Sequence, residues 1–416
     1  MKQHSSKASR SRAEDTLKPN RILYGVAAFT YFSDKLLGSF LFPYAVVTGV
    51  SFDQMGLIRS TRNLCQNMLQ MGWGEISERF SKRLLVFLGY LLSGCFIVAL
   101  LFFRSPAHLL AIIILHSIFW SAAVPAWNSL LADYTKLETR GQVLGKIGSV
   151  SQLSGVVATV IVAFITYTRS GQVTADSFTI PFALSALTAA IGAFLALPLK
   201  ESKIKTGVRS KILILSPLFD RSFRNFLIVG GFYWFSLSFA WPLFPYVIIN
   251  VVHASVWQIA VIASLSGLVV TATQPKFGTL IDKVGRKPIL VISRASLFLL
   301  PLLYAFAESW LHLLAINALL SLSMSASIVS LRAYIMDSAP LGHRANYVAA
   351  VNLVSGLATS IGSLVSGVFT SQLSVSLGAE RALFIGLIFS AILRLVSSSG
   401  FLLIRETLDK SRGQGG

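Results

Sequence analysis

Charge is scarce in this chain: Asp, Glu, Lys and Arg make up 13% of its 416 residues, whereas hydrophobic residues make up 54%. Soluble domains carry roughly 25% charged residues, so this composition excludes a soluble globular protein of this length. Cysteine occurs only at Cys65 and Cys95, inside apolar stretches and without metal-ligand spacing. Both read as small apolar fillers and say nothing of redox compartment. The sequence has no glycine-rich Lys loop to cradle ATP phosphates, no His/Cys metal cluster and no nucleophile–base pair suggested by spacing. An enzyme is therefore not expected, nor is a metal or cofactor. The polar, basic stretch 1–20 lacks a short apolar core with a small-residue cleavage site, so a signal peptide is not expected either.

What is present is apolar sequence in long runs, with a mean hydropathy of +0.68. A membrane helix needs about 20 mostly apolar residues. Twelve segments qualify: 21–47, 54–73, 84–103, 107–131, 142–168, 178–198, 222–250, 256–276, 288–307, 310–335, 346–370 and 382–404. The net charge of +19 does not point to nucleic acid, because its distribution already has an explanation. With the N-terminus in the cytoplasm, most Lys and Arg fall in loops and tails on that side. The opposite side holds Arg104, Arg169 and Arg381. This is the positive-inside asymmetry of a polytopic membrane protein with both termini cytoplasmic, and some basic residues can also meet anionic lipid.

The spans divide evenly, six to a half. The expected organisation is a basic tail (1–20), a six-helix bundle (21–198), a cytoplasmic linker (199–220), a second six-helix bundle (221–404) and a cytoplasmic tail (405–416). The linker carries Lys200, Lys203, Lys205, Arg209 and Lys211 ahead of Ser216-Pro217. The halves are copies of one unit. The run Gly278-Thr-Leu-Ile-Asp282-Lys283-Val-Gly285-Arg286-Lys287 has a degenerate twin 204 positions upstream, Gly74-Glu-Ile-Ser-Glu78-Arg79-Phe-Ser81-Lys82-Arg83. The same offset carries Asp133 and Arg140 onto Asp337 and Arg344, and Gln54 onto Gln258. Parallel repeats of this kind mark transporters whose two halves rock about a site. Small-residue runs in the fifth and eleventh spans (Gly145, Gly148, Ser151, Ser154, Gly155; Ser355, Gly356, Ser360, Gly362, Ser363, Gly367) permit close helix contact, either as ordinary packing or as a sliding interface.

These motifs resemble those of the major facilitator superfamily. The family's loop pattern, G-x-L-a-D-r-x-G-r-k, is matched by Gly278, Leu280, Asp282, Lys283, Gly285, Arg286 and Lys287. The first copy keeps Gly74, Arg79, Lys82 and Arg83 but has Glu78 for Asp and Ser81 for Gly. The spacing of Asp133 to Arg140-Gly141, after Pro125, also resembles the family's link between the fourth and fifth helices. The resemblance implies an all-α polytopic membrane protein, with twelve transmembrane helices in two pseudo-symmetric six-helix bundles around a central cavity. It further implies that the loops act as gating latches. Glu78 and Asp282 would be the latch acids and Arg140 and Arg344 their partners, with Gly74, Arg79, Arg83, Asp133, Gly278, Lys283, Gly285, Arg286 and Asp337 completing the set. The alternative is that these charges only fix topology. Ser81 conflicts with a left-handed turn, which a side chain disfavours by roughly 1–2 kcal/mol.

Ionisable groups inside a membrane are costly and so point to function. Asp34 and Lys35 lie near the middle of the first span. Asp34 is either a proton-coupling site or one member of a fixed ion pair with Arg59, Arg62 or another cation. In the second span Arg59, Asn63, Gln66 and Gln70 share one helical face, with Arg62 and Asn67 nearby, and a face so polar must avoid lipid. By resemblance, helices one, four, seven and ten line the cavity. That places His116, Trp120, Trp127, Asn128, Tyr233, Trp234, Trp241, Arg332 and Tyr334 around a solute, although aromatics at such spacing also serve as plain packing. Arg394 falls mid-span in the twelfth helix with no evident partner.

The leading expectation is a secondary transporter moving a small solute by alternating access, monomeric, in the plasma membrane and coupled to protons. The excess of Lys35, Arg59, Arg62 and Arg332 over acids favours an anionic organic solute. One alternative is proton-driven efflux of lipophilic or cationic compounds, although Gly145-Lys-Ile-Gly148 lacks the proline of the antiporter motif. Another is a non-transporting receptor or scaffold on the same fold.

Overall fold

The computed structural model describes residues 20–135, 140–168, 172–201, 216–340 and 343–408. The tail 1–19 and most of the expected linker lie outside them. The described chain is all-helical. In the first half the helices are α1 (Arg21–Val47), α2 (Phe52–Arg79), α3 (Lys82–Phe102), α4 (Pro106–Asp133), α5 (Arg140–Thr166) and α6 (Thr179–Ala196). In the second half they are α7 (Arg221–Phe239, extended through Phe244–Tyr246 and a wide turn at Val247–Val251), α8 (Val256–Val284), α9 (Arg286–Ser296 and Leu299–Ala305), α10 (Trp310–Ser338), α11 (Arg344–Leu377) and α12 (Ala379–Ser399). Ten helices are long and apolar enough to cross a membrane among the described residues. α1 and α2 fall outside that set, and they are the helices that carry Asp34, Lys35 and the polar stripe.

Helix boundaries follow local chemistry. Ser105 caps α4 by accepting from His108 N ahead of Pro106, and Asp220 caps α7 by accepting from Ser222 N and Phe223 N. The sequence repeat is visible in these caps. Gln54 Oε1 accepts from Ser51 N at 3.1 Å, and Gln258 Oε1 accepts from Ser255 N at 2.8 Å. The glutamines at the 204-residue offset thus perform the same task, opening the second helix of each half. The turn before each has one left-handed residue, Gly49 (φ 82°) in the first half and His253 (φ 51°) in the second.

The helices gather into two compact units. One holds α1 through Gly38, α2 from Cys65, α3, α4, α5 through Ile161, and α6. Its core packs Leu23, Val26, Tyr90, Ala126 and Leu130 with half-buried Trp120 and Trp127. The other holds Ser39–Leu64, the end of α5 and α7–α12. Its core is more aromatic, built on Phe223, Phe226, Tyr233, Trp234, Tyr334 and Phe401.

Small residues do the close packing. In the first unit Ser154 Oγ of α5 donates to Ala28 O of α1 at 2.9 Å, and Gly155 lies against Tyr31 and Lys35. In the second unit α2 crosses α11 backbone to backbone. A Cβ on Gly56 would stand 2.7 Å from Ser363 O, and one on Gly367 would stand 2.8 Å from Gly56 Cα. Only glycine at both positions allows this approach. Beside the crossing, Tyr246 Oη donates to Val50 O at 2.6 Å, the Phe52 and Tyr246 rings sit 4.3 Å apart, and Ser371 Oγ donates to Asp53 at 3.3 Å. The α1–α2 end of the first half is therefore clasped to α7 and α11. Gly367→Leu should part this clasp. With Cys65 and Cys95 replaced by Ser, a short bis-methanethiosulfonate reagent should join Asp53→Cys to Ser371→Cys efficiently, and Gly367→Leu should cut the yield several-fold. An unchanged yield would show that the glycines do not set the crossing.

Candidate functional site

The polar stripe on α2 is sorted by face. Leu57, Leu64 and Met68 are exposed, as apolar side chains facing lipid would be, whereas Arg59, Asn63, Gln66 and Gln70 are half-buried. Two guanidinium groups converge on one ring of α1: Arg59 Cζ lies 3.3 Å from the Phe42 centroid and Arg62 Cζ lies 5.5 Å from it. Arg62 is 9% exposed. The Arg59 Nε is buried and has no hydrogen-bond partner. Stacking on a ring face holds a guanidinium flat and leaves its edge available to an anion.

Asp34 and Lys35 are half-buried on α1, and the carboxylate acts electrostatically on the Lys35 ammonium and on Tyr90. Tyr90 bonds with Thr30 and meets Trp120 edge-on at 5.0 Å. Trp120 in turn stacks over buried His116 with centroids 6.0 Å apart. The first unit thus brings Asp34, Tyr90, Trp120 and His116 into one file.

Other expected solute-lining residues are distributed differently. Trp127 packs on the first core and Asn128 is exposed. Tyr233 and Trp234 lie inside the second core at 1% and 6% exposure, and Tyr334 is buried with them. Placing Tyr233, Trp234 and Tyr334 around a solute is therefore corrected. α7 is aromatic on several faces, and the sequence does not mark which one turns inward. Trp241 is half-buried, and Arg332 is exposed.

The loops form two matching networks. In the first half Lys82 Nζ bonds both Asp133 oxygens, at 3.0 and 2.8 Å. In the second, Arg286 Nε bonds Asp337 at 2.9 Å while Nη1 bonds Asp282 at 2.8 Å. Lys82–Asp133 and Arg286–Asp337 are one interaction at the 204-residue offset. The expected partnership of Asp282 with Arg344 is corrected: Asp282 reaches Arg286 four residues on, and exposed Arg344 makes no ion pair among the described residues. The side chains of Glu78, Arg79 and Arg140 lie outside the described residues. Gly74 and Gly278 are half-exposed within α2 and α8, and Lys283 is exposed.

Two acids absent from the sequence expectation organise these loops. Glu201 accepts from Ser81 Oγ at 2.7 Å and Lys82 N at 2.8 Å, with Arg83 Nε 3.8 Å away. Glu406 accepts from Arg286 N and Lys287 N, each at 3.0 Å. Each carboxylate sits on free N–H groups at the start of α3 or α9, where the helix dipole also favours negative charge. The signal was the basic-acidic pair ending each half, Lys200-Glu201 and Arg405-Glu406. The turn itself differs between copies. Gly285 is left-handed at φ 120°, whereas Ser81 takes an extended φ of −62° and caps α3. The expected conflict at Ser81 does not arise, because the serine never enters the left-handed region.

Among the described residues no group of His, Cys, Asp and Glu could hold a metal. Cys65 and Cys95 are free thiols.

Burial pushes the Glu406 carboxyl up, but the N–H groups of Leu408, Arg286, Lys287 and Thr407 outweigh it and hold it below the usual glutamate value. A lowered carboxyl contributes stability that is full above the unfolded glutamate value of about 4.3. That contribution is lost as pH falls through the lowered folded value. Glu406→Gln should cost about 1 kcal/mol, less than a buried charge-assisted bond because the group is exposed to solvent screening. It should also flatten the acid limb of a thermal-melt series below pH 4.3. A variant that melts like the parent at pH 7 would refute the anchoring role.

The Major Facilitator Superfamily model matches residues 23–235 and again 226–415. No curated protein sequence matches the chain. Among solved structures, a mutant of the nucleoside transporter NupG is similar with a TM-score of 0.72 at 12% identity, over 92% of this chain and 99% of that one. A POT family transporter in complex with a thioalcohol conjugated peptide gives 0.70 at 12% identity, over 94% and 98%. A bacterial homolog to the human lysosomal transporter Spinster, inward-facing and unoccupied, gives 0.65 at 15% identity, over 92% and 96%. At these identities the likeness is one of fold.

Proposed function

The chain belongs to the Major Facilitator Superfamily, and from that premise we propose that it is a secondary transporter moving a small organic anion by alternating access, driven by a proton gradient. It is an integral membrane protein; its place in this reading is the plasma membrane, as a monomer with both termini in the cytoplasm. The similar structures include a nucleoside transporter and one holding a peptide conjugate, so they do not choose the cargo here. The observation that carries the anion is the pair Arg59 and Arg62 over the Phe42 ring, with Arg59 Nε lacking a hydrogen-bond partner. A guanidinium cannot shed its charge to escape burial, and its planar fork matches carboxylate and phosphate.

Proton coupling is assigned to Asp34. It is a carboxylate inside the bilayer, next to a lysine, in line with Tyr90, Trp120 and His116. Protonating it would release Lys35 from its countercharge, linking proton uptake to the positive field that attracts the solute. The halves would rock about the Gly56–Gly367 crossing, with the paired loops restraining the other side of the membrane.

In proteoliposomes with an inward pH gradient, a pooled library of organic anions should show accumulation of at least one member. Arg59→Gln should reduce that uptake tenfold or more, since charge-assisted bonds are worth about 1.5–3 kcal/mol. Movement of lipophilic cations that survives Arg59→Gln would instead favour drug efflux. Asp34→Asn should abolish uphill accumulation while sparing solute exchange down its own gradient. Retained uphill transport would reject Asp34 as the coupling group.

A further inference from the structure

Two arginines outside the proposed transport site lie in the core of the second unit. Arg294 on α9 is 2% exposed and Arg394 on α12 is 0% exposed. Arg394 has a partial account. Pro301 removes the N–H that would bond the carbonyl four residues back, Leu297, and Arg394 Nη1 donates to that oxygen at 3.2 Å. Its Nη2 donates at 2.6 Å to Leu237 O, close to the break in α7. Its Nε keeps no partner. Arg294 has less. Its Cζ lies 4.5 Å from the Tyr233 centroid, 4.6 Å from Phe401 and 5.8 Å from Trp234, while Nε and Nη1 have no hydrogen-bond partner. The Tyr233 hydroxyl donates to Arg294 O and is within electrostatic reach of both guanidinium groups.

No acid of this half among the described residues neutralises them. Asp282 and Asp337 pair with Arg286. Glu406 is committed to Arg286 N and Lys287 N, and Asp220 to Ser222 N, Phe223 N and Tyr347. Glu308 and Glu380 are exposed. Two guanidinium charges thus share one desolvated region. Ring faces and carbonyl dipoles offset part of that cost, but an unmatched buried charge is among the most expensive features a core can hold.

We propose that a small monovalent inorganic anion of halide size binds between Arg294 and Arg394 as a structural countercharge. Arg294 Nε and Nη1 and Arg394 Nε would donate to it. The class follows from the surroundings. Tyr233, Phe401 and Arg394 are at most 1% exposed, so an ion held there must shed its water. An apolar, aromatic setting favours a weakly hydrated monovalent ion, since the desolvation penalty rises steeply with charge and rejects sulfate or phosphate. Water alone would satisfy the N–H groups but leave both charges.

The test is the thermal unfolding of the purified full chain in detergent, at constant ionic strength, as sodium gluconate is replaced by sodium chloride, bromide or sulfate. Chloride and bromide should raise the melting temperature saturably by about 2–4 °C, and sulfate should not. The rise should persist in Arg59→Gln and vanish in Arg294→Met, which keeps volume and removes charge. Equal melting in gluconate and chloride, or an undiminished halide effect in Arg294→Met, would overturn the proposal. Should Arg294→Met fail to fold, bromide anomalous scattering from crystals of the parent decides. A peak in contact with Arg294 supports the site, and its absence from that position refutes it.

Discussion

A carboxylate placed on the free N–H groups of a helix start is the interaction on which the loop architecture depends. α3 follows α2 with two residues between them, and α9 follows α8 across Gly285 alone. Such tight turns leave orphan amides at the membrane surface. Glu201 and Glu406 satisfy them, and in doing so draw the end of each six-helix half back to its second turn. With the backbone fixed, Lys82 and Arg286 project toward Asp133 and Asp337. The turn, the bundle end and the fourth helix of each half are locked by a few charge-assisted bonds, without recourse to the other half.

Within the second unit, the crossing of α2 with α11 relies on the reverse principle. There α2 meets α11 through bare backbone at Gly56 and Gly367, flanked by one tyrosine hydroxyl and one serine–aspartate bond. Little side-chain surface must be unpacked to part such a crossing. The buried guanidinium groups divide into one stacked on a single ring face of α1, Arg59, and two sunk into the aromatic core of the second unit, Arg294 and Arg394.

Much of the fold was legible because the bilayer forces long apolar runs and pushes charge to the loops, where the 204-residue repeat could be matched. Gln54 and Gln258 are examples: they stand at the shared offset, and both cap helices. The site was less legible. Glu201 and Glu406 belong to no motif and work through backbone amides, which leave no pairing trace in sequence. Tyr233 and Trp234 were misplaced because an aromatic helix in a membrane has no polar face to orient it. Arg294 was overlooked because it sits eight residues past the basic loop, in an otherwise ordinary span. The partners of Arg394 are two backbone carbonyls, Leu297 O freed by Pro301 and Leu237 O near the break in α7, visible only once the helix breaks are seen.

The self-contained loop networks bear on how the protein is made. The described groups that anchor the first loop lie between Ser81 and Glu201, so the network can close once Glu201 has left the ribosome, before α8 has been synthesised. The second closes over the same span of chain, from Arg286 to Glu406. Each loop network can therefore form in the translocon as soon as its own stretch of chain is complete, and the first need not wait for the second.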